Sequence, residues 1–214
     1  MNSLIVELRE WLDGIYGTYM DAVSGFALHH RDLKEREKEH LAAFEKFRSA
    51  NPGVEFGGAT FGYARLLRRD QPVAAFHMHH ADYDAVLSRN ACGGANAVFM
   101  ARMTVISIYG FWSDHIRSKL EAEFGFAKDG LKVPVFGDMR ILRHCIIHNH
   151  CRADSSVRKL EVLRWVNEGD LVSPNRSQIE EMIDRIIDFI GKFSASPESF
   201  KAAEPGATDN LDGA

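Results

Sequence analysis

The sequence predicts an all-α fold, and three observations carry that prediction. Apolar residues recur at spacings of three and four through four long segments. Those segments are bounded by residues that cap or break helices. The composition, 45% apolar and 26% charged over 214 residues, suits one ordinary globular core.

The first helix is expected over residues 3–49. Leu4, Leu8, Trp11, Ile15, Tyr19, Ala22 and Phe26 share one face, and Leu33, Leu41, Phe44 and Phe47 resume it. Between them HHRDLKEREKEH is almost wholly polar, either a solvated face or a helix projecting past the core. Gly14, Gly17 and Gly25 argue against an unbroken helix, and Asn51-Pro52-Gly53 ends it.

Residues 54–94 read as an irregular insertion, with room for a short strand at 73–78. Asn96 is the expected cap of a second helix over 96–124. Its stripe of Phe99, Met103, Ile106, Tyr109, Trp112, Ile116 and Leu120 reads as core, and Gly125 closes it. A third helix is expected over 136–151. Ser177-Gln178-Ile179-Glu180 reads as the capping box of a last helix over 178–192. Ile179, Met182, Ile183, Ile186 and Ile190 form its stripe, and Gly191 stops it. A single helical domain then spans 1–194, and residues 195–214 have the composition of a disordered tail.

Bulk chemistry narrows the function classes. The net charge is −4 with a pI near 6.2, so no global basic field draws in nucleic acid. RNA contact would need a local patch or two facing subunits. Cys92, Cys145 and Cys151 are an odd number and do not suggest a disulfide framework. No apolar run approaches the roughly 18 residues of a membrane helix, and the charged start MNSLIVELREWLDG is unlike a signal segment. The expectation is a cytoplasmic protein with no membrane contact.

Ten histidines are a high count, and they cluster at His77, His79, His80 and at His144, His148, His150. Placed on a wheel of about 100° per residue, FGDMRILRHCIIHNHC puts Val135, Met139, Leu142 and Ile146 in one arc. The opposite side collects Arg140, Arg143, His144, His148 and Cys151. A neutral imidazole can take a proton from a ribose 2′-OH, and its protonated form can supply one to a leaving oxygen. A guanidinium offers a permanent planar charge to the scissile phosphate. That chemistry is metal-free RNA cleavage, giving a 2′,3′-cyclic phosphate and a 5′-OH. Arg143 and His148 are five apart and flank an arc rather than converge. A second copy across a two-fold axis would complete the cleft, which makes a homodimer part of the functional expectation.

Arg143-His144-Cys145-Ile146-Ile147-His148 fits the R-x4-6-H signature of HEPN domains (higher eukaryotes and prokaryotes nucleotide-binding). FGDMRILRHCIIHN resembles the GDLRLLRNSIIHN segment of a bacterial HEPN-like group. Upstream, RNACGGANAVFMARMTVISIYGFWSDHIRSKL is similar to that group's RNAPGG…WEDHYR segment. The likeness covers about residues 85–190. It implies an antiparallel helical bundle, a homodimer, and cofactor-free RNase activity in a toxin, phage-defence or stress-defence setting. A cognate antitoxin or regulatory protein is an implied partner. By match, Arg143 and His148 are catalytic, and His144 is the polar residue after Arg, where Asn is commoner.

The remaining residues have more than one reading. Asn149 and His150 are supporting groups or a frayed helix end. Arg140 is an RNA contact. Asp138 orients an arginine or caps the helix start, the latter being favoured by the dipole. Asp114 or Arg117 lines the cleft, or Arg117 simply pairs with Glu121. Some HEPN domains bind RNA, nucleotide or a partner without catalysis, which is the second functional reading. The third is zinc, since His144, His148 and Cys151 stand at i, i+4 and i+7. His77-Met78-His79-His80-Ala81-Asp82 reads as a polar loop rather than a metal tract.

Overall fold

The computed structural model describes residues 2–53, 60–66 and 76–200. Its architecture is all-α with one small β-hairpin. The elements are α1 (Ser3–Ala50), β1 (Thr60–Leu66), β2 (Phe76–Asp82), α2 (Tyr83–Asn90), α3 (Ala95–Phe111), α4 (Arg117–Phe124), α5 (Pro134–His148) and α6 (Arg176–Ala195). A π-helical turn, Trp112–Ile116, joins α3 to α4. The chain divides into two compact units, residues 20–100 and residues 1–19 with the described residues from Ala101 onward.

Helix α1 is unbroken for 48 residues, about 72 Å at 1.5 Å per residue. Gly14, Gly17 and Gly25 do not interrupt it. Its buried face is Ile5, Leu8, Leu12 and Tyr19, then Leu33. The expected stripe is therefore displaced, and Trp11 lies at the edge, stacked on Phe111 at 4.5 Å. Beyond Leu33 the expected positions Leu41 and Phe47 are exposed.

Within the insertion the described residues include two strands. β1 and β2 pair antiparallel, with Thr60 opposite Asp82 and Leu66 opposite Phe76. The His77–His80 tract is thus strand rather than loop, and the short strand expected at 73–78 lies over 76–82. Residues 54–59 and 67–75 lie outside the described residues. Helix α2 follows, held by a Tyr83 hydroxyl that donates to the Leu33 carbonyl and by His30 Nδ1 at 2.9 Å from the Leu87 carbonyl. The α2–α3 corner needs glycine at position 94, where a Cβ would stand 2.5 Å from the Ser88 carbonyl oxygen. Asn96 does not cap α3, which starts at Ala95. Its amide instead donates to Asn90 Oδ1 at 2.9 Å.

The other unit holds the main core. The buried line running from α3 into the π turn is Ala101, Val105, Ile108 and Trp112, whereas Met103, expected inside, is exposed, as is Phe99 in the first unit. Trp112 stacks on Phe136 of α5 at 4.0 Å, and both meet Phe189 of α6 edge-on. Each such pair adds about 1 kcal/mol beyond area burial. Helix α4 ends at Gly125 in the left-handed region, as expected.

Helix α6 starts two residues earlier than expected. Its capping box is Asn175 with Gln178, the Asn175 carboxamide oxygen accepting from Gln178 N at 3.0 Å and the Gln178 side chain from Asn175 N at 2.9 Å. All five residues of its expected stripe are buried, joined by Phe189 and Phe193. Gly191 does not stop it. The burial of Phe193 carries the helix through to Ala195. The first residues of the expected tail are also ordered: Pro197–Phe200 form one 3₁₀ turn, which sets the Phe200 ring 5.5 Å from those of Phe189 and Phe193. The tail from residue 201 lies outside the described residues.

Candidate active site

Helix α5 forms for local reasons. Pro134 at its first turn pre-sets the backbone. Val135, Phe136, Met139, Leu142, Cys145 and Ile146 then bury one side. Arg140, His144, Ile147 and His148 are left exposed on the other, with Arg143 half-buried between. The helix ends at His148, earlier than the sequence suggests. Asn149 N and Cys151 N both donate to the Cys145 carbonyl, and His150 and Cys151 turn into the left-handed region at φ 52° and 63°.

This turn is held firmly despite two non-glycine residues at positive φ. Val172 N donates to the Cys151 carbonyl and Ala153 N to the Asp170 carbonyl, both near 2.9 Å or shorter. Arg152 Nη1 donates to the Gly169 carbonyl at 2.8 Å. From α3, Arg102 Nε donates to the Val172 carbonyl at 2.7 Å. The C-terminal end of α5 is therefore braced from two sides.

Arg143 projects over Tyr109 of α3, its guanidinium carbon 5.8 Å from the ring centroid. Its Nε is buried without a hydrogen-bond partner. Among the described residues no carboxylate pairs with it. The cation is thus supported by a ring and left with donors to offer. His144 and His148 lie one turn apart, ring centroids 5.1 Å from each other and tilted by 39°. His144 Nε2 stands 3.7 Å from Asp154 Oδ2.

Asp154 faces the polar side of α5, a neighbour that the pattern of that helix did not reveal. It caps the 3₁₀ turn Ser155–Lys159. Its Oδ1 accepts from Ser156 N at 2.9 Å and from the Ser156 hydroxyl, and its Oδ2 accepts from Asn149 Nδ2. The Ser156 hydroxyl first, then its backbone N–H, the Asn149 amide and the nearby His144 hold the Asp154 carboxyl below the usual carboxylate range. Asp154-Ser155-Ser156 is itself a readable cap signature. What it faces is not readable.

The other expected site residues sort differently. Asn149 donates its side-chain amide to Asp154 Oδ2. His150 is exposed past the helix end. Arg140 is exposed and lines an open groove of about 700 Å³ together with Tyr109, Arg117 and Lys132. Asp114 is exposed on the π turn and does not line that groove. Arg117 does, paired with Asp129 and with Glu121, the latter a 3.1 Å contact that lacks hydrogen-bond geometry.

Asp138 neither orients an arginine nor caps α5. It is 1% exposed and accepts from three consecutive backbone N–H groups, those of Glu161, Val162 and Leu163, at 2.7–3.0 Å. The reason is geometric: Asp138 faces inward, where three consecutive N–H groups of the 161–163 backbone, the last of them buried, converge without another acceptor. The zinc geometry fails for a similarly local reason. Cys151 has left the helix, and its thiol donates to the Ile146 carbonyl at 3.6 Å. Among the described residues no three His, Cys, Asp or Glu side chains converge as metal ligands. No helix among them is by itself long and apolar enough to cross a membrane.

No family model, no curated protein and no solved structure matches the chain.

Proposed function

We propose that this protein is a metal-independent endoribonuclease of the HEPN type, with Arg143 and His148 as its catalytic pair. One observation carries the reading. A guanidinium seated on Tyr109, with no carboxylate partner among the described residues, shares one braced helix with two exposed imidazoles. A cation left unneutralised next to proton-transfer groups suits a phosphodiester.

In this mechanism His148 takes the proton from the ribose 2′-OH, and Arg143 holds the phosphate oxygens as charge develops on them. The freed 2′-oxygen attacks phosphorus, leaving a 2′,3′-cyclic phosphate and a 5′-OH. Arg140 and the groove beside it would guide the flanking strand. With a chain charge of −4, the binding field has to be local, and a second copy facing the first would double it. The proposal therefore includes a homodimer. By resemblance it extends to a toxin or defence role under an antitoxin or other regulator.

Incubating purified protein with single-stranded RNA in excess EDTA tests the reading. Cleavage to cyclic-phosphate ends is the expected result. Cleavage that vanishes in EDTA would sink the metal-free mechanism. An intact dimer that binds RNA and cuts none would favour a binding module.

A further inference from the structure

We infer that His144 and Asp154 form the second proton-handling pair of this site, His144 as the acid for the leaving group and Asp154 as its positioning residue. The inference rests on the ribonuclease reading above. Cleavage through the 2′-oxygen moves two protons: one leaves the 2′-OH, and one must reach the departing 5′-oxygen. With His148 as base, the second proton needs another source.

The two imidazoles of α5 are not equivalent. Of these two, only His144 faces a carboxylate among the described residues, Asp154 Oδ2 at 3.7 Å from its Nε2. A carboxylate at one ring nitrogen fixes which nitrogen carries the proton and steadies the imidazolium, the role it has in hydrolase triads. Asp154 is suited to that role because it cannot swing away. Ser156 holds one oxygen twice, and Asn149 holds the other. The 3.7 Å gap exceeds a hydrogen bond, as contacts at unliganded catalytic sites commonly do, and it closes when substrate orders the exposed ring. His144, with 54% of its side chain exposed, has the freedom to make that move.

The step balances. His148 accepts the 2′-OH proton, the O2′–P bond forms, the P–O5′ bond breaks, and His144 delivers its proton to O5′. Asp154 remains a carboxylate throughout.

A substrate whose leaving oxygen is replaced by sulfur tests this directly, because a thiolate departs without a proton. On ordinary RNA, H144A and D154N should each lower kcat by at least about tenfold, with KM little changed. On the 5′-bridging phosphorothiolate both should cut within a few-fold of wild type, whereas H148A should stay inactive. That rescue also shows that the variants are folded. Equal losses on both substrates would overturn the assignment, as would wild-type kcat for D154N on ordinary RNA. A wild-type protein that cuts neither substrate would instead remove the ribonuclease reading and the acid role with it. The pair itself has a readout free of catalysis. The ¹⁵N signals of the His144 ring should change in D154N while those of His150 stay put, and identical spectra would refute the contact.

Discussion

Helices α5 and α6 are both amphipathic, and both bury a continuous apolar side, yet their polar faces differ in kind. On α6 the charges answer one another: Arg176 with Glu180 at 2.8 Å, Arg185 with Glu181 at 3.6 Å, Lys192 with Asp188 at 2.7 Å, all one turn apart. Such pairs contribute a few tenths of a kcal/mol each and leave the surface solvated. On α5 no carboxylate one turn away answers Arg140, Arg143, His144 or His148. Among the described residues the one carboxylate that its polar face meets, Asp154, comes from beyond the helix. The two faces therefore differ in where their polar groups find partners, within the helix on α6 and outside it on α5, and the proposed function rests on that difference.

The largest test of that contrast is on α5. Arg143→Ala and His148→Ala should each reduce RNA cleavage by about 10²–10⁴-fold, with unfolding midpoints close to wild type. Steady-state cleavage alongside thermal unfolding checks both halves. Normal cutting by either variant would show that the unpaired face serves something else.

Asp138→Ala should damage α5 from its buried side. Three backbone donors would lose their acceptor, a loss of about 3 kcal/mol measurable by denaturant titration. A change below about 1 kcal/mol would mean that the 161–163 backbone finds water easily.

Tyr109→Leu keeps an apolar platform but removes the ring beneath Arg143. A cation–π contact at a partly exposed site contributes about 0.5–1 kcal/mol. The expected result is a KM for RNA raised about twofold to fivefold with the fold intact.

Asp154 supplies a pH-dependent test. Its folded-state carboxyl titrates below the ordinary value of 3.8, so its hydrogen bonds stabilise the fold fully above that value. The contribution is lost as pH falls through the lower folded-state value. Unfolding midpoints of wild type and Asp154→Asn should therefore differ most above pH 5 or so and converge in acid. Curves that stay parallel would place the carboxylate's role elsewhere.

The smallest effect belongs to α6. Arg176→Ala should change stability by less than about 0.5 kcal/mol and leave cleavage untouched. An effect as large as that of an α5 variant would erase the distinction between the two faces.

Much of the fold was legible because helical period is a local property. The α6 stripe and the apolar arc of α5 were read correctly, since each position needed only its own neighbours along the chain. Element ends were less legible. Gly191 and Gly25 looked like breaks, but the burial of Phe193 and of Leu33 farther along holds each helix through them. The hairpin at 60–82 was half seen, because its pairing depends on two segments meeting rather than on either one's pattern.

The polar arc carrying Arg143, His144 and His148 was set by the sequence alone, through the 3.6-residue turn and a well-packed opposite side. What those groups face was decided only by tertiary structure. Tyr109 lies 34 positions before Arg143, Asp154 comes after a reversal through two positive-φ residues, and Asp138 turned inward to the 161–163 backbone. No periodicity encodes a contact between elements, because it depends on how their buried faces pack.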